Sequence, residues 1–118
     1  MDVKGKNVFI TGSTRGIGKA MALAFAKAGA NIILNGRGEI PKEKIEEIEA
    51  FGVKCVGVSG DISDYEKAGQ MIKESEEKLG SIHVLVNNAG ITNDKLVMRM
   101  DAEDFKKCLD INLIGTFN

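Results

Sequence analysis

Residues 11–18 decide the fold of this chain, and they read Thr-Gly-Ser-Thr-Arg-Gly-Ile-Gly. An apolar run at residues 7–11 leads into them and is typical of a short strand. A helical stripe follows, ends at Gly29 and consists of Ile17, Ala20, Met21, Ala24, Phe25 and Ala28. Gly12 permits the sharp turn from strand to helix, while Gly16 and Gly18 let the backbone and a ligand approach where a Cβ would collide.

A helix that begins directly after such a turn presents free N–H groups and the positive end of its dipole to the solvent. These groups suit a pyrophosphate. We therefore interpret the turn as a phosphate-binding loop made of Gly12, Ser13, Thr14, Arg15, Gly16, Ile17 and Gly18. The alternative is a plain glycine-rich turn, because a glycine trio alone is a weakly specific signal.

The rest of the chain repeats the alternation of strand and helix. Further strands are predicted at residues 31–35, 53–58 and 82–86. The helices between and after them carry apolar stripes made of Ile45, Ile48 and Phe51; of Ala68, Met71, Ile72, Ser75 and Leu79; and of Phe105, Leu109 and Leu113. The order βαβαβαβα, with strands of nearly continuous apolar character, predicts an α/β fold with a parallel sheet that is covered on both faces.

Several residues predict where these helices begin and end. Pro41 suits the first turn of the second helix, Ser63 and Glu66 fit a capping box for the third, and Asp101 can cap the fourth. The last helical pattern continues to Asn118 without a stop signal, and the fourth strand is apolar although it would lie at a sheet edge. We therefore expect more chain to follow in the full-length protein.

Composition excludes several classes of function. The chain has 118 residues, 43% hydrophobic and 28% charged, which allows one core. Its formal net charge is -1, so no field of one sign favours nucleic acid or an anionic membrane as a partner. No apolar run approaches the roughly 20 residues that span a bilayer, and the polar start is not a secretory signal, so we expect a cytoplasmic protein. Cys55 and Cys108 are expected as lone buried thiols, with no disulfide and no metal site.

Residues 11–18 and the sequence Asn87-Asn88-Ala89-Gly90 after the fourth strand together resemble the short-chain dehydrogenase/reductase family, whose pattern is T-G-x-x-x-G-I-G followed by N-N-A-G. Residues 90–100 and 110–113 resemble more closely its 3-oxoacyl-[acyl-carrier-protein] reductases. The resemblance covers the whole chain but only the first half of that family's chain. It implies a Rossmann-type doubly wound sheet whose first half, residues 1–118, ends after the helix that follows strand four and forms an NADP(H)-binding half-domain.

The residue after the second strand distinguishes NAD from NADP, because an acidic side chain there binds the ribose 2′-OH and an Arg accommodates a 2′-phosphate. Arg37 follows that strand, Glu39 comes later, and Arg15 is a second cation in the glycine loop. Since two guanidinium groups can pair with one phosphate, we predict NADP(H). The alternative is that either arginine is a solvated loop charge.

The resemblance also implies roles for residues after the third and fourth strands. Asp61 would accept a hydrogen bond from the adenine amino group and Ile62 would flank the ring, although Asp61 could instead be a plain helix-entry aspartate. Asn88, Ala89 and Gly90 would line the cofactor, whereas Asn87 is expected to hold neighbouring strands together by side-chain bonds.

Reduction of a ketone by hydride transfer needs a proton donor for the developing alkoxide. In the family a Tyr gives the proton, a Lys four residues later and a Ser assist it, and an Asn holds a water in the proton relay. Asn112 matches that Asn. Its alternative role is that of a polar residue that bonds a nearby backbone group. Tyr65 is the only tyrosine, and four residues later the chain has Gly69 instead of a Lys. We therefore expect Tyr65 to be a surface residue. We also expect no reductase activity from these 118 residues alone. His83, where the family commonly has Asp, is expected inside strand four without a metal.

The sequence leaves three candidate functions. The resemblance favours NADPH-dependent reduction of 3-oxoacyl groups carried on acyl carrier protein, in fatty-acid synthesis, by a homo-oligomer that is a tetramer in the full-length protein. The second is another short-chain NADP(H) reductase that acts on a small alcohol, a sugar or a steroid. The third is a non-catalytic nucleotide-binding fragment, which would bind NADPH weakly or assemble with a complementary half.

Overall fold

The computed structural model describes residues 2–92 and 95–118. The elements are, in chain order, β1 (Asn7–Ile10), α1 (Gly16–Lys27), β2 (Asn31–Gly36), α2 (Lys42–Glu49), β3 (Cys55–Ser59), α3 (Tyr65–Leu79), β4 (Val84–Val86), a 3-10 turn (Val97–Arg99), α4 (Ala102–Leu109), a π-helical turn (Asp110–Ile114) and α5 (Gly115–Phe117). The strands pair in parallel in the order β3-β2-β1-β4. The predicted α/β fold with a parallel sheet is confirmed. The chain moves from β1 outward to β3 and then returns to the other side of β1, so the strand order reverses between β1 and β4.

The two inner strands of the sheet are buried on both faces. Alternate residues point to opposite sides, so Val8 and Ile10 pack with one cluster and Phe9 with the other. The first cluster includes Ala22 and Ala26 of α1 and Ile48 of α2, whereas the second is formed with α3 residues and contains Phe9, Ile33, Val58, Ile62, Ala68 and Met71. Helices on both faces explain the nearly continuous apolar character of these strands.

The buried face of α1 differs from the predicted one. Its buried residues are Gly18, Ala22 and Ala26, whereas Ile17 is 75% exposed and Ala20 lies on the exposed side. Because α1 carries apolar residues nearly all round, its periodicity does not fix which side faces the sheet. The sheet contacts the column of small side chains at i, i+4 spacing, which lets the helix approach closely.

The start of α3 is also different from the prediction. Asp64, not Ser63, is the N-cap, and its side chain accepts the Lys67 N–H at 3.0 Å. The Ser63 hydroxyl instead donates to Asp61 Oδ1 at 2.7 Å, so the predicted capping box was wrong. At α4 the predicted cap is confirmed, since Asp101 forms a capping box with Asp104.

His83 lies just before β4 rather than inside it, which corrects the predicted strand boundary. The imidazole Nδ1 of His83 accepts a hydrogen bond from the Asn7 backbone N–H at 2.9 Å. The backbone N–H of His83 donates to the Asn7 carbonyl, also at 2.9 Å. The imidazole therefore occupies the place of a backbone carbonyl at the start of the β1–β4 pairing. Asn7 completes this junction by donating through Nδ2 to the carbonyls of Leu79 and Ser81.

An apolar stripe on the last helical segments is exposed. The stripe, which we call the α4 stripe, consists of Phe105, Leu109, Leu113 and Phe117, exposed by 60%, 41%, 61% and 83%. The helix pattern predicted Phe105, Leu109 and Leu113 as an apolar face of the last helix, and in the structure these side chains are largely exposed. The edge strand β4 also exposes Leu85.

The two cysteines are free thiols in different environments. Cys55 is buried in the first core cluster, and Cys108 is half-buried on α4. Burial, with a smaller contribution from the Glu49 carboxylate, raises the pKa of the Cys55 thiol to about 12, so this residue behaves as an apolar core side chain at neutral pH. None of the helices in residues 2–92 and 95–118 combines the length and the apolar character that a bilayer crossing requires.

Candidate nucleotide-binding site

A cleft of about 380 Å³ lies at the carboxyl ends of the strands, where the strand order reverses. Open α/β sheets bind their ligands at this position. The cleft is lined by Gly12, Thr14, Arg15, Gly16, Ile17, Asn35, Gly36, Arg37, Gly60, Asp61, Ile62, Asn88, Ala89, Gly90, Ile91 and Ile111. The structure thus brings together most of the predicted cofactor residues. Ser13 and Gly18 belong to the same loop but do not line the cleft.

Ser13 lies beneath the loop rather than in the cleft. Its side chain is fully buried, and the hydroxyl donates to the Ile10 carbonyl at 2.7 Å and accepts the Asn35 N–H at 2.9 Å. The Ser13 N–H donates in turn to the Asn35 carbonyl at 2.8 Å. Ser13 therefore joins the ends of β1 and β2 and fixes the base of the loop.

Asn35 is a site residue that the sequence analysis missed. It is 2% exposed, and its Oδ1 accepts the Gly12 N–H at 3.1 Å while Nδ2 donates to the Val58 carbonyl at 3.2 Å. One side chain thus joins the glycine loop, β2 and β3. The available signal was a polar residue that closes an otherwise apolar strand, because such a group must find buried partners.

Each position of the loop that holds a glycine requires it for a structural reason. Gly12 and Gly16 both have a φ of 60°, where a Cβ causes strain. At Gly18 a Cβ would lie 2.2 Å from the Gly12 carbonyl oxygen and 2.6 Å from Asn88 Nδ2. Gly12 also meets Ala89 closely, since a Cβ at Gly12 would lie 3.0 Å from the Ala89 Cα. Glycine is required here for turn conformation and for close packing of α1 against the strand ends.

Asn88 connects the loop after β4 to the glycine loop. Its Nδ2 donates to the carbonyls of Thr11 at 3.1 Å and Gly12 at 3.0 Å, and its N–H donates to Thr11 Oγ1 at 3.0 Å. The Ala89 N–H reaches the same hydroxyl at 2.9 Å. We expected Asn87 to tie the strands by side-chain bonds, but Asn87 is exposed and Asn88 makes the cross-strand bonds.

The start of α1 is open to a ligand. Arg15 is the N-cap residue, and its side chain makes no capping bond. Arg15 is exposed and lines the cleft. Arg37, which directly follows β2, is also exposed and lines the cleft. Residues 35 and 36, Asn and Gly, bring no carboxylate to that strand end. The cleft therefore combines two features: backbone N–H groups at the start of α1 that receive no side-chain cap, and two cationic side chains from different segments.

A second cleft of about 270 Å³ adjoins the first and shares Arg37, Asp61 and Ile111 with it. Its far wall is charged and consists of Glu103, Asp104, Lys106, Lys107 and Asp110 of α4 and the π-helical turn. Lys106 bonds Asp110 at 2.6 Å, and this hydrogen bond raises the pKa of Lys106. Lys95 bonds Asp104 at 2.8 Å, which raises the pKa of Lys95 in the same way.

Asp61 and Ile62 follow β3 and both line the main cleft. Asp61 Oδ1 accepts the Ser63 N–H at 2.9 Å in addition to its hydroxyl, so this carboxylate is oriented by the following turn. Ile62 is 7% exposed and lies against Gly115, where a Cβ would come within 2.6 Å of Ile62 Cγ1. The Asp61–Ile62 pair therefore closes one end of the cleft.

Asn112 lies beside the cleft, in the π-helical turn, and does not line it. Its Oδ1 accepts the Ile91 N–H at 2.8 Å and its Nδ2 donates to the Ile91 carbonyl at 2.9 Å. The geometry matches the alternative of a polar side chain that bonds nearby backbone. Asn112 fixes Ile91, which lines the cleft. Within the stretch 90–100 that carried the closer resemblance, Asn93 and Asp94 lie outside the described residues.

Tyr65 is 71% exposed at the first residue of α3, as expected for a surface residue. Among the described residues, no group of His, Cys, Asp and Glu is arranged to hold a metal ion.

The parallel sheet, its reversal of strand order and the glycine loop together define a Rossmann-type α/β protein. The short chain dehydrogenase family matches residues 6–118, and this chain belongs to that family.

Individual relatives give finer comparisons. A 3-oxoacyl-[acyl-carrier-protein] reductase, FabG, from Staphylococcus aureus is 42% identical over 115 residues, which cover 96% of this chain and 47% of that protein. A 2-dehydro-3-deoxy-D-gluconate 5-dehydrogenase from Formosa agariphila is 38% identical over 118 residues, 98% of this chain and 45% of that protein. The crystal structure of a short-chain type dehydrogenase/reductase from Mycobacterium marinum superposes with a TM-score of 0.93 at 33% identity, over 98% of this chain and 47% of that one. The chain therefore spans about half the length of the relatives it matches.

Proposed function

We propose that this chain forms the NADP(H)-binding half of a reductase that converts 3-oxoacyl groups on acyl carrier protein to 3-hydroxyacyl groups. The observation that carries the proposal is the cleft at the reversal of strand order, which is lined by the glycine loop, by Arg15 and by Arg37. In this proposal the amides at the start of α1 bind the pyrophosphate, because they have no side-chain cap.

Arg15 and Arg37 support a preference for the 2′-phosphate. Both residues line the cleft, and they belong to segments that approach it from β1 and from β2. A guanidinium can donate two parallel hydrogen bonds to a phosphate, and the end of β2 holds no carboxylate that would repel one. In this proposal Asp61 and Ile62, which line the same cleft, contact the adenine.

The remaining contacts serve the nicotinamide end. When bound, the cofactor would supply the hydride for the substrate carbonyl. Asn88, Ala89 and Gly90 are small or engaged in backbone bonds, so they offer a close surface for the ribose. Asn112 orders Ile91 and is proposed to help hold the water of the proton relay.

The substrate class is supported by relatedness. Relatives named as 3-oxoacyl-[acyl-carrier-protein] reductases reach 44% identity to this chain. Tyr65 is exposed and is followed four residues later by Gly69, so this chain does not supply the Tyr-x-x-x-Lys pair of the family. We therefore propose that the whole protein is the reductase, a cytoplasmic homo-oligomer, and that these 118 residues alone show no turnover of NADPH with an acetoacetyl thioester.

A second candidate is a short-chain reductase with a different substrate. The Formosa agariphila relative is named for a sugar-acid dehydrogenase and is 38% identical to this chain. Both candidates share the dinucleotide cleft, so assay of the full-length protein with 3-oxoacyl and sugar-acid substrates discriminates between them.

Titration of the chain with NADPH and NADH, followed by cofactor fluorescence, tests the cofactor proposal. We expect NADPH to bind at least about tenfold more tightly, because charge-assisted hydrogen bonds to the 2′-phosphate are absent with NADH. Arg37→Asp should remove the preference. The control is Arg99→Asp, an exposed arginine outside the cleft, which should leave it unchanged. Equal affinity for the two dinucleotides in the unaltered chain would contradict the proposal.

A further inference from the structure

Lys44 is a cation that lies beside the glycine loop but does not line the cleft. It lies on α2, is half-buried, and donates a hydrogen bond from Nζ to the Thr14 carbonyl oxygen. Lys42, two residues earlier, turns to solvent: its side chain is 90% exposed and lies 3.9 Å from Glu46. Two lysines in the first turn of one helix therefore have different environments, and only one of them contacts the loop.

The contact fixes the orientation of a peptide that borders the cleft. In a trans peptide the C=O and N–H groups point in opposite directions. Because Lys44 holds the Thr14 carbonyl towards α2, the Arg15 N–H faces away from α2. The Thr14 side chain is confined on another side, since a Cβ at Gly36 would lie 3.1 Å from Thr14 Cγ2. The Thr14–Arg15 unit is thus held between α2 and the end of β2.

The same contact changes the electrostatics of the loop. A carbonyl oxygen carries partial negative charge, and near the 2′-phosphate it would repel that group unless a cation neutralises it. Lys44 forms no salt bridge with a carboxylate in the described part of the chain; on the same helix, Glu47 pairs with Lys19 at 3.2 Å and Glu46 with Lys42 at 3.9 Å. Lys44 therefore adds a positive charge next to Arg15.

We propose that Lys44 is a positioning residue for selection of the 2′-phosphate: it holds the Thr14–Arg15 unit so that the Arg15 guanidinium can act together with Arg37. This inference rests on the proposed NADP(H) function, and it assigns a role in specificity to a residue outside the cleft.

The test measures dissociation constants for NADPH and NADH in the chain and in its Lys44 variants. Lys44→Met and Lys44→Gln should each weaken NADPH binding by about tenfold, because a charge-assisted contact is lost, and leave NADH binding unchanged. Lys44→Arg, which keeps the charge and donor, should retain most of the preference. The matched control is Lys42→Met on the same helix turn, which should change neither constant. Thermal melting of every variant separates loss of selectivity from loss of fold.

A double-mutant cycle shows whether Lys44 acts through Arg15. In an Arg15→Met background, Lys44→Met should have little further effect on the ratio of the two constants. An undiminished effect in that background would show Lys44 acting as an independent phosphate ligand and would overturn the positioning role. An equal loss for both dinucleotides, or no loss, would also overturn it. If the unaltered chain shows no preference for NADPH, the proposed cofactor fails first; if it shows the preference and the Lys44 variants keep it, only this inference fails.

Discussion

Gly18 shows how closely α1 packs against the strand ends at the scale of a single residue. It has helical backbone, so its conformation would accept any residue, yet a Cβ would lie 2.2 Å from the Gly12 carbonyl oxygen and 2.6 Å from Asn88 Nδ2. The glycine spacing predicted a close approach at this position. The sequence could not show that the approach is to protein rather than to ligand, because Asn88 is distant along the chain. For the same reason it did not reveal the partners of Asn35 or Lys44.

Gly18→Ala is therefore expected to displace Gly12 and Asn88 from their present contacts. The free energy of unfolding should fall by about 1–3 kcal/mol, the usual cost of overpacking. NADPH and NADH should lose affinity together, because the pyrophosphate is common to both. Chemical denaturation and cofactor titration measure the two effects.

The matched control is Gly69→Ala on α3, where an added Cβ would meet nothing within 4 Å. This change should stabilise the chain by up to about 1 kcal/mol through helix propensity and leave binding unchanged. Unaltered binding in Gly18→Ala would show that the loop geometry does not control the cleft.

At the scale of elements, the order of strands and helices follows from periodicity, but which side of each helix is buried does not always follow. The α3 stripe is buried as predicted at Ala68, Met71 and Ser75, because charged residues fill the rest of that helix. On α1 nearly every side is apolar, and only contact with the sheet selects Ala22 and Ala26. The α3 cap was misassigned because Ser63 and Asp64 are adjacent candidates, and the Asp61 carboxylate binds the serine hydroxyl.

The α4 stripe is the element-scale feature with the clearest consequence for association. Its four exposed apolar side chains form a surface that favours contact with another protein surface. We expect the chain to self-associate in a concentration-dependent manner, measured by sedimentation velocity. Leu113→Glu should reduce association without lowering stability, because Leu113 is 61% exposed.

Phe51→Glu is the control for this prediction, since Phe51 is an exposed apolar residue outside the α4 stripe. It should leave association as it is in the unaltered chain. The same oligomer distribution in Leu113→Glu would exclude the α4 stripe as the contact.

At the scale of the whole molecule, the β3-β2-β1-β4 order explains why residues far apart in sequence share one cleft. The resemblance anticipated this topology, and parallel strands place Gly12, Arg37, Asp61 and Asn88 at the same edge of the sheet. Side-chain bonds across the strands could not be predicted, because they depend on which strands become neighbours. The His83 contact with Asn7 exists only because β4 returns to β1.

The most direct test of the central claim is a crystal structure of this chain with NADP⁺. The account predicts the pyrophosphate against the amides at the start of α1, and the 2′-phosphate within hydrogen-bonding distance of the guanidinium groups of Arg15 and Arg37. A dinucleotide bound elsewhere, or one whose adenosine phosphate lies away from both arginines, would contradict it.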